Sequence, residues 1–412
     1  MEGQSGLVNS PPPSWIDAEF VQTALRNGED DSTITVTKCD VTSNAVESKF
    51  AANAYNVVAT LETGEKRSLI VKCRAEAGLG NKISGLFETE VKLLTETLPA
   101  MEALLQTACP EEFQPFAPKC YYHGSEPLPF VVLEDPSQEG FNYYLIDVSR
   151  CRMALRTLAR FHAASIAFLQ QNPEEIEYFN KHDFAEKFRG EVEDFVKGGI
   201  ECLANEVKKW PAFEEYADKL LRLKETICNK LEETLRQKDG SLNCLIRPDS
   251  TVTGMMFKIS ENVYTGVRMT DFQSVFYASP VIDVLHCLFA CLDVRIHIFG
   301  AARLINEYYC TLQETLRLLG HSELLPSQDE FQELVSQYKF YNFYLSTSVL
   351  PLTAYGLSDK IEDDNVEDGN VENASNPLGI NARLYKGHMY KSIIQCLLCE
   401  YDVQGIFDNI GT

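Results

Sequence analysis

The 412-residue chain carries 60 acidic against 37 basic residues, a formal charge of −23, with 45% hydrophobic and 24% charged residues. That composition is ordinary for a globular protein and excludes wholesale disorder. The acidic surplus repels nucleic-acid backbones and anionic lipid headgroups, and no dense Lys/Arg run offsets it, so neither nucleic acid nor a membrane surface is an expected partner.

Residues 1–13 are polar and end in three prolines, which reads as a flexible lead. They contain neither the basic nor the apolar segment of a secretory signal. Thirteen cysteines without framework spacing then point to reduced thiols and a cytoplasmic location. Trp15, Phe20, Val21 and Leu25 are spaced for an amphipathic helix that starts near Ser14 or Asp17. Three strand patterns follow in STITVTKCDV, NAYNVVATLE and KRSLIVKCRAE. Next come a helix, FETEVKLLTETLPAMEALL, and a short apolar strand, PFVVLEDP.

From about residue 148 long amphipathic helices take over, including RCRMALRTLARFHAASIAFLQQ and a single run at 208–237. Two strand-like runs, MMFKIS and YTGVRMTDF, interrupt them. The apolar stretch 281–299 contains Asp283, His286, Asp293, Arg295 and His297, so it is expected as a buried helix; a membrane span needs roughly 20 predominantly apolar residues. The acidic, Gly/Asn-rich segment at about 358–376 reads as a loop. The pairs Cys287/Cys291 and Cys396/Cys399 lie in helical runs, where core packing is expected ahead of metal or redox roles. Strands first and helices after, with no βαβ alternation, is the α+β pattern.

Some residues stand out chemically. Lys72 sits inside the apolar run LIVKC, where a cation needs an anionic partner or must reach water along a strand edge. On the following helix Phe87, Val91 and Leu94 form the apolar stripe, with Glu90 beside it and Glu88 turned toward solvent. A buried Lys–Glu pair that positions phosphate oxygens is one part of kinase machinery. Asp249 follows the run LNCLI, and Asp271 follows the strand in VRMTDFQ. Placed at the ends of neighbouring strands, two such aspartates suit phosphoryl transfer, although aspartates in turns are also ordinary turn residues.

Taken in order, PSWIDAEFVQTALR, LIVKC, FETEVKLLTETLPAME, FVVLEDP, LARFHAAS, LNCLIRPDSTVTGMMFK, MTDFQS and SPVIDVLHCL resemble the insect ecdysteroid-kinase-like family, also called CHK-kinase-like. That family stands with choline kinases and aminoglycoside phosphotransferases in the protein-kinase-like superfamily. The resemblance runs from about Ser14 to the C-terminus. It implies a bilobal α+β fold: a small antiparallel-sheet, nucleotide-binding N-lobe at 14–136 and a large, mainly helical C-lobe at 137–412. It implies ATP and Mg²⁺ as cofactors and a small apolar hydroxylated molecule, an ecdysteroid or xenobiotic, as substrate.

By the same resemblance Lys72 and Glu90 are the phosphate-positioning pair. Glu134 and Asp135 lie in the hinge that meets adenine through backbone groups. Asp249 is the catalytic-loop aspartate, Asp271 the catalytic metal ligand, and Asp283 a brace for the catalytic loop as well as a favourable charge at a helix N-terminus. His162 reads as a structural hydrogen-bonding residue. The aromatic run Tyr338, Phe340, Tyr341, Phe343 and Tyr344 is expected in the core ahead of a substrate pocket.

The sequence also departs from the family pattern. The catalytic loop reads Arg247-Pro248-Asp249 where the family has His-Gly-Asp, and Gly254 stands where a metal-binding Asn is usual. Ser250, Thr251 and Thr253 offer only neutral hydroxyls. The loop between the first two strands, VTSNAVESKFAANAY, has no glycine, although close backbone approach to phosphate favours it. An active kinase and a pseudokinase that binds nucleotide or ligand without turnover are both consistent with these residues.

Overall fold

The computed structural model describes residues 12–44, 52–75, 85–111, 113–144, 146–180, 190–236, 240–248, 254–261, 263–291, 293, 295–354 and 382–408. Asp249, Ser250, Thr251 and Thr253, residues 45–51 of the glycine-free loop, residues 1–11 of the lead and the acidic segment 358–376 lie outside the described residues. The chain divides into two compact units, Met1–Tyr144 with Thr253–Val275, and Leu145–Val252 with Phe276–Thr412. The architecture is α+β, with a small antiparallel sheet in the first unit and mostly helices in the second.

In the first unit, α1 (Ala18–Glu29) begins at an Asp17 cap whose Oδ1 accepts from the Phe20 amide at 2.9 Å; such a cap is worth about 1 kcal/mol. Strands β1 (Val36–Ser43), β2 (Ala52–Leu61), β3 (Lys66–Arg74), β4 (Cys120–Gly124) and β5 (Phe130–Glu134) form an antiparallel sheet in the order β1-β2-β3-β5-β4. Successive strand residues face opposite sides. Leu69, Val71 and Cys73 of β3, with Phe130 and Val132 of β5, pack into one core with Val21, Ala24 and Leu25 of α1. Ile70 and Lys72 therefore face the other side.

Crossing from β3 to β4 are α2 (Leu86–Lys92), a π-helical turn (Leu93–Thr97) and α3 (Leu98–Ala108). The wider turn comes just before Pro99, which has no N–H to give to a regular ladder. A second sheet joins β6 (Phe141–Asn142), β8 (Met255–Ser260) and β9 (Val263–Met269) in the order β6-β8-β9.

The second unit centres on α4 (Val148–Gln171), which packs against α10 (Ala301–Leu318), α9 (Val281–Ala290) and β7 (Cys244–Ile246). β7 pairs with β10 (Phe276–Ala278). Around them lie α5 (Glu175–Phe179), α6 (Glu191–Val207), α7 (Glu214–Lys224), α8 (Ile227–Leu235), α11 (Gln328–Gln337), α12 (Lys339–Tyr344) and α13 (His388–Val403). Among the described residues no helix is long and apolar enough to cross a membrane.

Four expectations change. β7 and β9 are not neighbouring strands: each pairs within a different sheet. The run at 208–237 is two helices, because the Thr226 amide and hydroxyl both turn back to the Leu223 carbonyl, at 3.0 and 3.4 Å, and close α7. The stretch 281–299 is likewise broken: α9 ends at Ala290, Asp293 Oδ1 accepts from the Arg295 amide at 3.0 Å, and Phe299 is 84% exposed. Cys396 and Cys399 are exposed, since Ile393, Ile394, Leu397, Leu398 and Tyr401 hold the buried face of α13. Cys287 and Cys291 are buried, as are Tyr338, Tyr341 and Phe343 of the aromatic run.

Candidate active site

Lys72 lies in the middle of β3, paired across to Ala54 on β2 and Val131 on β5. A lysine there has no strand edge by which to reach water, and its side chain is 1% exposed. The neighbouring helix supplies the partner. Glu90, fully buried on α2, holds Lys72 Nζ at 3.1 Å through Oε1, while Glu88 is exposed beside Arg74. The Lys72 ammonium also donates to the Thr270 carbonyl at 2.6 Å. Removing one partner of such a buried pair typically costs about 3–5 kcal/mol, because the other charge is left stranded.

Three residues after the end of β9 complete the cluster. The Phe272 amide reaches Glu90 Oε1 at 3.4 Å, and Gln273 Nε2 donates to Glu90 Oε2 at 3.2 Å. Asp271, 5% exposed, takes the Gln273 amide on Oδ1 at 3.2 Å. Glu90 and Asp271 therefore share one dry region. Burial pushes the Glu90 carboxyl up, Lys72 pulls it down, and Asp271 pushes it up again; the net direction is upward. Two carboxylates beside one lysine leave an excess of negative charge, which suits a cation bound together with phosphates.

Among the described residues no group of three or more His, Cys, Asp or Glu side chains is arranged to hold a metal. Mg²⁺ is usually held by one or two carboxylates plus substrate phosphates and water, so Asp271 fits that pattern. Gly254, expected at the position of the family's Asn, accepts the Thr270 amide on its carbonyl at 3.2 Å. A side chain at 254 would thus start one residue from Asp271 across the ladder.

Glu134 and Asp135, the residues expected at a hinge, have structural tasks of their own. The Glu134 amide donates to the Lys119 carbonyl at 3.0 Å. Asp135 caps the short 3₁₀ helix Pro136–Glu139 by accepting from the Ser137 amide at 2.9 Å, and takes the Ser68 hydroxyl at 2.7 Å.

A second network lies wholly in the other unit. Asp283 Oδ2 accepts from the Arg247 amide at 2.7 Å and lies 3.1 Å from His162 Nε2. His162 Nδ1 meets the Tyr308 hydroxyl at 2.7 Å. This ties α4, α9 and α10 to the chain leaving β7, where Arg247 is fully buried. Asp249 lies outside the described residues.

A family model described as the ecdysteroid kinase-like family matches residues 48–321. The chain belongs to the ecdysteroid kinase-like family. The matched span includes Lys72, Glu90, His162, Asp249, Asp271 and Asp283. A search of curated proteins finds no match. Among solved structures, the chain is similar to an aminoglycoside phosphotransferase from Alicyclobacillus acidocaldarius subsp. acidocaldarius DSM 446. The TM-score is 0.35 and the identity 12%, over 85% of this chain and 86% of that one. Membership in this kinase-like family makes phosphotransfer the general type of chemistry, for which ATP and Mg²⁺ are the usual cofactors.

Sequence reasoning singled out Lys72, Glu90 and Asp271, and all three meet in one cluster. It missed Gln273 and the Thr270 carbonyl. An amide two residues after an aspartate, directly behind Phe272 in DFQSV, was the available signal for Gln273.

Proposed function

We propose that this ecdysteroid kinase-like protein binds ATP with Mg²⁺ at Lys72, Glu90 and Asp271 and phosphorylates a hydroxyl of a small apolar molecule of the ecdysteroid or xenobiotic class. The observation that carries this reading is the Lys72–Glu90 ion pair closed against the residues that flank Asp271. Bound ATP with its metal supplies the γ-phosphoryl group and neutralises charge on the phosphates. Glu90 holds the Lys72 ammonium in place for phosphate oxygens. Asp271 presents its carboxylate to the cation. On the family pattern, Asp249 orients the acceptor hydroxyl and takes its proton, and backbone groups at Glu134 and Asp135 meet the adenine edge.

A second reading, a nucleotide-binding pseudokinase, is favoured by Gly254, which brings no metal ligand beside Asp271. Thermal unfolding with ATP, with and without Mg²⁺ or Mn²⁺, combined with mass spectrometry of a steroid panel, separates the two. A ligand at 100 times its Kd stabilises by about 2.7 kcal/mol. Metal-dependent stabilisation with a phosphorylated product supports the kinase. Metal-independent stabilisation without product supports the pseudokinase, and no stabilisation under any condition defeats both.

A further inference from the structure

The first unit contains a cavity of about 640 Å³ on the side of α3 and β4, within the usual range for small-molecule sites, about 300–1,000 Å³. Its apolar wall includes Leu94, Leu98 and Pro99, on the helical run that continues from Glu90. Arg268 also lines the cavity, 9% exposed, with its guanidinium 4.7 Å from the Phe141 ring centroid. Nη1 of Arg268 donates to the Pro115 and Val267 carbonyls at 3.0 and 3.3 Å, while Nε is buried without a hydrogen-bond partner. Among the described residues no carboxylate lies within ion-pair distance of this guanidinium.

Three glutamates line the same cavity: Glu102, Glu134 and Glu139. Burial disfavours the Arg268 charge, and Glu134, Glu139 and Glu102 offset part of that cost from beyond contact distance. Glu102 is engaged by the Phe116 amide at 2.6 Å, and the Lys119 ammonium is given to the Gly28 carbonyl at 2.6 Å. Opposite charges thus face one hollow without touching. A lone anion would meet three glutamates, and a lone cation would meet the guanidinium. A ligand with both charges satisfies both sides.

We propose that this cavity binds a zwitterionic α-amino acid with an apolar side chain: the carboxylate on Arg268, the ammonium toward Glu134 and Glu139, and the side chain against Leu94, Leu98 and Pro99. The cavity shares Glu134 with the proposed adenine hinge but is lined by none of Lys72, Glu90 and Asp271, and its test needs no nucleotide. Equilibrium dialysis of the full chain with labelled L-phenylalanine, without ATP or metal, gives the affinity directly. Competition with 3-phenylpropionate and 2-phenylethylamine isolates the two charges. Saturable 1:1 binding is expected, at least tenfold weaker for each single-charge analogue and for Arg268→Gln and Glu134→Gln. Thr95→Trp, which fills the cavity from its helical wall, is expected to abolish binding and covers the case in which Arg268→Gln does not fold. Absence of saturable binding overturns the proposal. So does an analogue that binds as tightly as phenylalanine, or unchanged binding in a folded Arg268→Gln or Thr95→Trp variant.

Discussion

Lys72 Nζ stands 3.1 Å from Glu90 Oε1, with 1% and 0% of the two side chains exposed. Two opposite charges sealed in this way stabilise the fold little as a pair, but each is costly without the other.

Lys72→Met should therefore cost about 3–5 kcal/mol in urea unfolding at pH 7, and Lys72→Met/Glu90→Leu should recover most of it. The pH dependence has a defined sign. The native Glu90 carboxyl is raised above its ordinary value of 4.5, so its contribution is complete below that pH and is lost as pH rises through the native value. Without the lysine this loss should steepen. Additive single-variant costs would show that the pair is not coupled.

Asp271 and Gly254 bear on the cation. Asp271→Asn should remove the Mg²⁺-dependent part of ATP stabilisation while leaving the ligand-free protein as stable or more so, since it relieves the repulsion with Glu90. Gly254→Asn, which places an amide beside Asp271, should strengthen metal-dependent binding. Calorimetry with MgATP on both variants checks this, and unchanged metal affinity in Gly254→Asn counts against the assigned geometry.

The Asp283 carboxylate serves two partners, His162 Nε2 and the Arg247 amide. Asp283→Ala should cost about 1–3 kcal/mol for each group left unsatisfied, whereas Asp283→Asn keeps an acceptor and should cost less. Hydrogen exchange at the Arg247 amide should rise sharply in the alanine variant and little in the asparagine one.

His297 offers a separate pH probe. Burial lowers its pKa below 6.5, against upward pulls from the Cys291 carbonyl and Asp293. The stability this contributes is present above the unfolded value of 6.5 and is lost as pH falls through the lower native value. Thermal unfolding from pH 7.5 to 5 should show His297→Gln losing less stability than wild type over that window.

Local pattern carried a good deal. The spacing of Phe87, Val91 and Leu94 distinguished Glu90 from Glu88, strand alternation put Lys72 on a strand, and of the two starts offered for α1, Ser14 and Asp17, one proved to be its cap. These are face assignments, and a single segment's periodicity determines them. The break at Thr226 and the exposure of Phe299 were not legible, because apolar content alone does not say where a side chain turns back on its own backbone.

What the sequence determined by itself was family membership, the α+β order of elements and the residue types suited to phosphate chemistry. Tertiary structure decided the partners: that 253–275 packs with the first unit, that the Thr270 carbonyl and Gln273 close the Lys72–Glu90 pair, and that Arg268 and three glutamates line one hollow. Those contacts join segments about 130 to 200 residues apart, where pairing depends on the balance of packing against loop closure and leaves no local period to read.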